Sequence, residues 1–217
     1  MLIYDITPPV TSDLGVFPGD VPYRRQISLD FNKGDHLLLS SIESTLHLGA
    51  HADGPNHYDP KGTGIGERQL DPYLGSCQVI RVHIAQGTRV MPEDVKTPIT
   101  EKRVLIDTGS FPNPDRWNSD FCALSPEWVD QLGAKGVLLV GIDTPSIDPE
   151  SAKVLLSHHA VAKHRMAILE GLVLKRVPEG VYTLCAPPLK LMEADASPVR
   201  ALLSPAGLLP EEPLECI

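Results

Sequence analysis

Short apolar runs separated by proline and glycine dominate the chain, with few long helical stripes. Leu2–Thr7 reads as a strand closed by Pro8-Pro9, and Phe17-Pro18-Gly19-Asp20 carries turn chemistry. Ile27, Leu29 and Phe31 alternate within Tyr23–Phe31, as a half-buried strand requires. In His36–Leu48 the apolar positions change face. Leu37 and Leu39 share one side; Ile42, Leu46 and Leu48 share the other, which predicts a bulge or a break between two short strands. Ser76–Ile84, Arg103–Asp107 and Gly136–Asp143 are further strand candidates. Before the last of these comes a helix start, with Ser125 as cap, Pro126 in the first turn and Glu127 on the dipole. Its apolar face ends at Leu132, where Gly133 is placed to close it. A second helix is expected after Asp148-Pro149-Glu150, with Val154, Leu155 and Val161 inward. Val181–Leu191 reads as a late strand that Pro187-Pro188 confines to an edge or a break. Strands, then strand–helix–strand, then a last strand predict an α/β fold with a mixed sheet, in one compact domain over residues 1–217. The Pro- and Glu-rich tail after Leu203 is expected to wrap the surface or a partner subunit.

Charge narrows the function classes. Lys and Arg number 19 against 28 Asp and Glu, a formal net charge of −9, which repels nucleic-acid backbones. No apolar run approaches the ~20 residues of a membrane helix, and the first residues lack the basic and apolar regions of a secretory signal. Cys77, Cys122, Cys185 and Cys216 are scattered, with no CxxC pair, and read as free thiols. These observations give a cytoplasmic expectation.

The candidate chemistry is concentrated in His47-Leu-Gly-Ala-His51-Ala-Asp53-Gly-Pro-Asn-His57. Imidazole and carboxylate donors suit a divalent zinc, manganese or iron ion. His51 and Asp53 are two residues apart, so an extended backbone points both to one side. Gly49 and the lack of Glu after His47 argue against a zinc-binding helix, so a loop following a strand is expected to carry these side chains. A second segment holds His158, His159, His164 and Glu170. Glu170 lies inside the apolar run Met166–Leu174, where a carboxylate is costly to bury without a cation. An exposed Glu on a helix face is the plain alternative, and each of these histidines reads equally well as a surface residue. A nucleophile elbow (Gly-x-Ser-x-Gly) and a phosphate loop are both absent from the sequence.

At these residues the chain resembles the cyclase family, and within it the bacterial kynurenine formamidases (arylformamidases). The family loop His-x-Gly-Thr/Ala-His-x-Asp-x-Pro-x-His stands complete as His47, Gly49, Ala50, His51, Asp53, Pro55 and His57. Asp5-Ile6 with Pro8-Pro9, the Phe17–Asp20 turn, Gly141–Ser146, Leu169–Leu172, Pro187–Lys190 and Asp195–Pro198 are also similar to family segments. The resemblance implies a compact α/β fold of the swivelling β/α/β type, assembled as a homodimer, with two divalent ions per subunit. Zinc is the family's usual metal and manganese is its alternative. It implies that His47, His51 and Asp53 hold the first ion. Asp53 and Glu170 would bridge to a second, completed by His158, with His159 as the alternative in register. His57 would give and take the proton. Phe17 stands where the formamidases generally carry Trp against the substrate, which keeps an aromatic face but loses area and an N–H.

The implied reaction is hydrolysis of the aryl formamide N-formyl-L-kynurenine to L-kynurenine and formate, in tryptophan degradation. A water acidified by the metal would attack the formyl carbon, and His57 would protonate the leaving aniline nitrogen. Two other readings share the same residues: a cyclase-family hydrolase of cyclic imides or isatin-like amides, and a metal-binding protein without turnover.

Overall fold

The computed structural model describes residues 3–207. Thirteen strands and two α-helices follow one another along the chain. The strands are β1 (Tyr4–Asp5), β2 (Arg24–Leu29), β3 (Leu39–Glu43), β4 (His51–Asp53), β5 (Leu74–Arg81), β6 (Arg89–Val90), β7 (Arg103–Asp107), β8 (Ala123–Leu124), β9 (Leu139–Ile142), β10 (Ala167–Glu170), β11 (Gly180–Cys185), β12 (Ala196–Pro198) and β13 (Leu202–Pro205). The helices are α1 (Pro126–Ala134), between β8 and β9, and α2 (Leu156–His164), between β9 and β10.

Nine strands form one mixed sheet in the order β1-β13-β11-β5-β7-β9-β10-β4-β12. Its centre, β5-β7-β9-β10, is parallel, and the flanking pairs are antiparallel. This is the expected α/β class with a mixed sheet. Side-chain alternation divides the core in two. Val104, Ile106, Val140, Ile142 and Ile168 meet Trp128, Val129 and Leu132 of α1 and Val161 of α2. Leu105, Leu139, Ala167, Leu169 and Ala52 face the other way, under Ile65, Tyr73, Leu172, Leu174 and Val177. The helices thus cover one face of the sheet and loop segments cover the other.

Several local expectations change. Ser125 does cap α1, accepting from the Trp128 N–H at 3.1 Å, but Gly133 stays inside the helix and Gly136 (φ +84°) follows its end. The second helix begins only at Leu156, and Val154 is 58% exposed instead of inward. Its first turn is capped from a distance: Asp148 Oδ2 accepts from the Ser157 and His158 N–H groups at 3.0 and 3.2 Å. In His36–Leu48 only β3 forms. It pairs with β2 as a separate two-stranded hairpin, with a register shift between Ile27 and Leu29. The late strand stops at Cys185, and it lies inside the sheet between β13 and β5. Within the tail after Leu203, β13 continues to Pro205 and pairs with β11, while residues 208–217, Cys216 among them, lie outside the described residues. No helix among the described residues is long and apolar enough to cross a membrane.

Candidate metal centre and active site

Strand register builds the site. In the β4–β10 pair His51 stands opposite Glu170. Ala52 belongs to the loop-covered face, so His51 and Asp53 point to the helix-covered face. Glu170 follows Ile168 on that same face. α2 packs on that face and brings His158 down onto it. His51 and Asp53 therefore sit on a strand, not on the loop expected from the glycine-rich sequence; His47 alone remains on the loop before it. Two glycines make the approach possible. Gly49 and Gly171 both have positive φ (+56° and +66°), and a Cβ on Gly171 would stand 2.1 Å from the Gly49 carbonyl oxygen.

The polar atoms converge tightly. Asp53 Oδ1 lies 3.2 Å from His47 Nδ1 and 3.5 Å from His51 Nε2, and its Oδ2 lies 3.4 Å from His158 Nε2. Glu170 Oε2 lies 3.2 Å from His51 Nε2, and its Oε1 lies 3.6 Å from His158 Nε2. Each carboxylate thus turns one oxygen toward His51 and the other toward His158. His51 Nδ1 meets the Gly49 carbonyl at 2.8 Å, so Nδ1 is the donor and Nε2 presents a lone pair. His158 is fixed in the same manner, its Nδ1 on Asp148 Oδ2 at 2.8 Å, while Asp148 Oδ1 pairs with Arg89 at 2.8 Å. A ring held by a carboxylate on its far nitrogen is the usual support of a metal-binding imidazole.

The residues fit a divalent cation. Both Asp53 oxygens and His51 Nε2 are buried without a hydrogen-bond partner. An acceptor pair and a lone pair facing each other in a dry site are costly unless a cation or protons lie between them. The charge balance points the same way. Burial alone would lower the His47 imidazole, but Asp53 and Glu170 overcome it and push it up to about 9. Burial likewise disfavours a charged His158, yet Asp148, Asp53 and Glu170 raise it well above the usual range. Burial opposes the charged forms of Asp53 and Glu170, and the imidazoles still hold both below their ordinary values, Asp53 far below.

Three donor groups have all ligand atoms within 4.8 Å: His47, His51 and Asp53; Asp53, His57 and His158; and His47, His57 and Asp195. Glu170 belongs to none of them, although its oxygens touch His51 and His158. His57 ends a short 3-10 turn (Pro55–His57), and its ring packs tilted on His47 with centroids 4.2 Å apart. Desolvation holds its imidazole below the usual range, with the neighbouring His47 and His158 adding to the effect. His158 is buried at these carboxylates and His159 is exposed. His164 is turned away, on Asp130 at 2.8 Å.

His47, His51, His57, His158, Glu170 and Asp195 line a cavity of about 370 Å³. Phe17 lines it too, on a turn in which the Asp20 N–H donates to the Phe17 carbonyl at 2.9 Å. Phe17 has an unforeseen partner: Trp117 packs edge-on against it with centroids 5.4 Å apart, and Phe111 packs edge-on against Trp117 at 5.9 Å. Trp117 is an isolated aromatic in a Pro- and Asn-rich loop, where no periodicity marks it. Asp148, Arg89 and Glu150 were equally silent as site residues. Asp148-Pro149-Glu150 looked like the start of a helix; the motif carries a cap and an imidazole support instead.

The family named Cyclase matches residues 4–149 of the chain. The chain belongs to that family. This cyclase-family chain is 45% identical over 203 residues to the kynurenine formamidase of Bordetella pertussis, covering 93% of the chain and 97% of the relative. Its fold is similar to a solved predicted metal-dependent hydrolase from Bacillus stearothermophilus, with a TM-score of 0.80, 27% identity, and 93% and 97% of the two chains covered. It is also similar to isatin hydrolase A from Labrenzia aggregata, with a TM-score of 0.73 at 20% identity, covering 93% of each chain, a likeness of fold. A metal-dependent hydrolase follows from the relatives and the His and Asp groups together.

Proposed function

We propose that this chain is a kynurenine formamidase, which hydrolyses N-formyl-L-kynurenine to L-kynurenine and formate. The observation that carries the reading is 45% identity across almost the whole chain to a kynurenine formamidase. The cavity supports it, because an aromatic wall and a histidine-rich floor suit an aryl amide. His47, His51 and Asp53 would hold one divalent ion, and Asp53, Glu170 and His158 a second. Zinc is the first choice and manganese the alternative, since every donor is an imidazole nitrogen or a carboxylate oxygen. When bound, such an ion supplies Lewis acidity to the formyl oxygen and to water at neutral pH.

The chain's own residues do the rest. Phe17 and Trp117 flank the space for the aryl ring, which holds the formamide against the histidines. His57 faces the cavity as a neutral imidazole, suited to receive a proton from water and return it to the aniline nitrogen as the C–N bond breaks. Asp148 orients His158 and the Asp148–Arg89 pair fixes Asp148.

We also take the molecule to be a homodimer of single-domain subunits. The β2–β3 hairpin exposes Phe31 (64%) and Ile42 (67%), with Ile27, Leu38 and Leu39 beside them. A second copy is the occupant that fits these side chains, and Ile42→Glu should shift the chain toward monomer in sedimentation. Unpaired Cys77, Cys122 and Cys185 agree with a reducing compartment such as the cytoplasm. The decisive test of the reaction is hydrolysis of N-formyl-L-kynurenine by metal-reconstituted protein. Tightly bound metal without turnover would discard the reading and turn attention to cyclic imides.

A further inference from the structure

Among the described residues the lining of the active-site cavity contains no lysine and no arginine; besides Glu170 at the metal donors and Asp143, which is held by Thr108 and Gly109, it contains Asp20, Glu150 and Asp195. Two of these carboxylates are engaged. Asp195 Oδ2 lies 3.1 Å from His47 Nε2, and Asp20 Oδ2 accepts from the Thr45 hydroxyl at 3.2 Å. Glu150 is different. Its Oε2 accepts from the Trp117 indole N–H at 2.6 Å, and no other hydrogen bond or ion pair reaches it among the described residues. The same indole forms the aromatic wall with Phe17 and Phe111. One residue therefore ties the ring-binding surface to a half-buried anion with an oxygen to spare.

We propose that Glu150, oriented by Trp117, receives the α-ammonium group of the substrate, and that the protein does not read the substrate's carboxylate. The proposal rests on the formamidase reading above. Kynurenine carries an ammonium and a carboxylate on one carbon, at the end of the chain away from the formamide. Away from the histidine floor, a pocket wall with carboxylates and no lysine or arginine attracts the first and offers the second no partner. The ring lies against Phe17 and Trp117, and the ammonium reaches Glu150 beside them. The preferred substrates are then cationic aryl formamides, with or without a carboxylate.

The test uses the full chain reconstituted with zinc and four formamides: N-formyl-L-kynurenine, its decarboxylated amine, its deaminated acid, and the formamido ketone lacking both groups. The decarboxylated amine should keep kcat/KM within about threefold of the native substrate, and the deaminated acid should lose roughly tenfold or more, mostly in KM. Glu150→Gln keeps an acceptor for the indole but removes the charge. It should lower kcat/KM for the native substrate by roughly tenfold and bring the native and deaminated compounds to within about threefold of each other. The proposal is overturned if the deaminated acid matches the native substrate, if loss of the carboxylate costs more than loss of the amine, or if Glu150→Gln depresses both substrates equally. Turnover of none of the four overturns the formamidase reading itself, and this proposal with it.

Discussion

Two pairs of buried carboxylates, Asp107 with Asp143 and Asp53 with Glu170, are treated in opposite ways. Asp107 and Asp143 lie at the ends of adjacent parallel strands. Arg81 binds Asp107 Oδ2 through Nε at 2.7 Å and Nη2 at 2.6 Å. Asp143 Oδ1 accepts from the Thr108 N–H at 3.0 Å and the Thr108 hydroxyl at 2.8 Å, and its Oδ2 accepts from the Gly109 N–H at 2.8 Å. Asp53 and Glu170 are just as deeply buried, yet both Asp53 oxygens lack a donor; Glu170 Oε1 accepts from the Ile147 N–H at 2.7 Å, and the other groups facing the pair are imidazoles. The first pair is satisfied by the scaffold and holds a loop. In the second, Asp53 is left open and Glu170 Oε2 has no N–H or O–H donor other than an imidazole, which is what a cation site requires. Burial of charge alone does not mark a site; burial without donors does.

The comparison breaks most sharply under substitution. Glu170→Gln or Asp53→Asn should abolish metal retention and lower turnover by roughly three orders of magnitude or more. Added zinc should raise the melting temperature of the parent but of neither variant, because only the parent binds it. Asp143→Ala should do the reverse, costing about 2–4 kcal/mol in denaturant unfolding while metal content stays intact. If added zinc raises the melting temperature of Asp53→Asn as much as that of the parent, the contrast between the pairs is wrong.

His57 sharpens the comparison within the open pair's surroundings. His57→Ala should reduce kcat by about 10²–10⁴ with metal retained. Loss of an ion by elemental analysis would instead make His57 a ligand with Asp53 and His158. A smaller effect is expected behind His158: Asp148→Asn should weaken metal binding by about 10–100-fold, because the ring loses its orienting carboxylate and α2 its cap. An unchanged affinity in a competition titration would remove Asp148 from the account.

The satisfied pair has a pH signature of its own. Burial pushes the Asp143 carboxyl up to about 7; the Thr108 and Gly109 bonds oppose this and the nearby Asp107 charge reinforces it. Between its ordinary value of 3.8 and about 7 the folded chain holds a proton that the unfolded chain has released. Stability therefore falls as pH rises through that window, by an amount of the order of a few kcal/mol. Midpoints of thermal unfolding against pH check this, with Asp143→Asn flattening the slope.

The sheet and the metal-loop histidines were legible in the sequence because each rests on a local signal. A short apolar run marked Arg103–Asp107, which forms β7 with those bounds. The loop motif marked His47, His51, Asp53 and His57. What was not legible depends on contacts made across the fold. The pairing of β4 with β10 sets Glu170 opposite His51, and nothing within Met166–Leu174 reports it. His158 and His159 cannot be told apart without knowing which face of α2 meets the sheet. Asp148 and Trp117 gain their meaning from partners 10 and 33 residues away. Glycine near His51 suggested a loop, but the pairing with β10 and β12 overrides that preference and makes a strand.

Asp53 and Glu170 are proposed to hold a cation used in aryl formamide hydrolysis. The most direct measurement follows N-formyl-L-kynurenine hydrolysis and metal content together, in zinc-reconstituted protein beside a chelated sample. The account predicts turnover that disappears with the metal and returns with zinc or manganese. Undiminished turnover in a sample shown to be metal-free would contradict it.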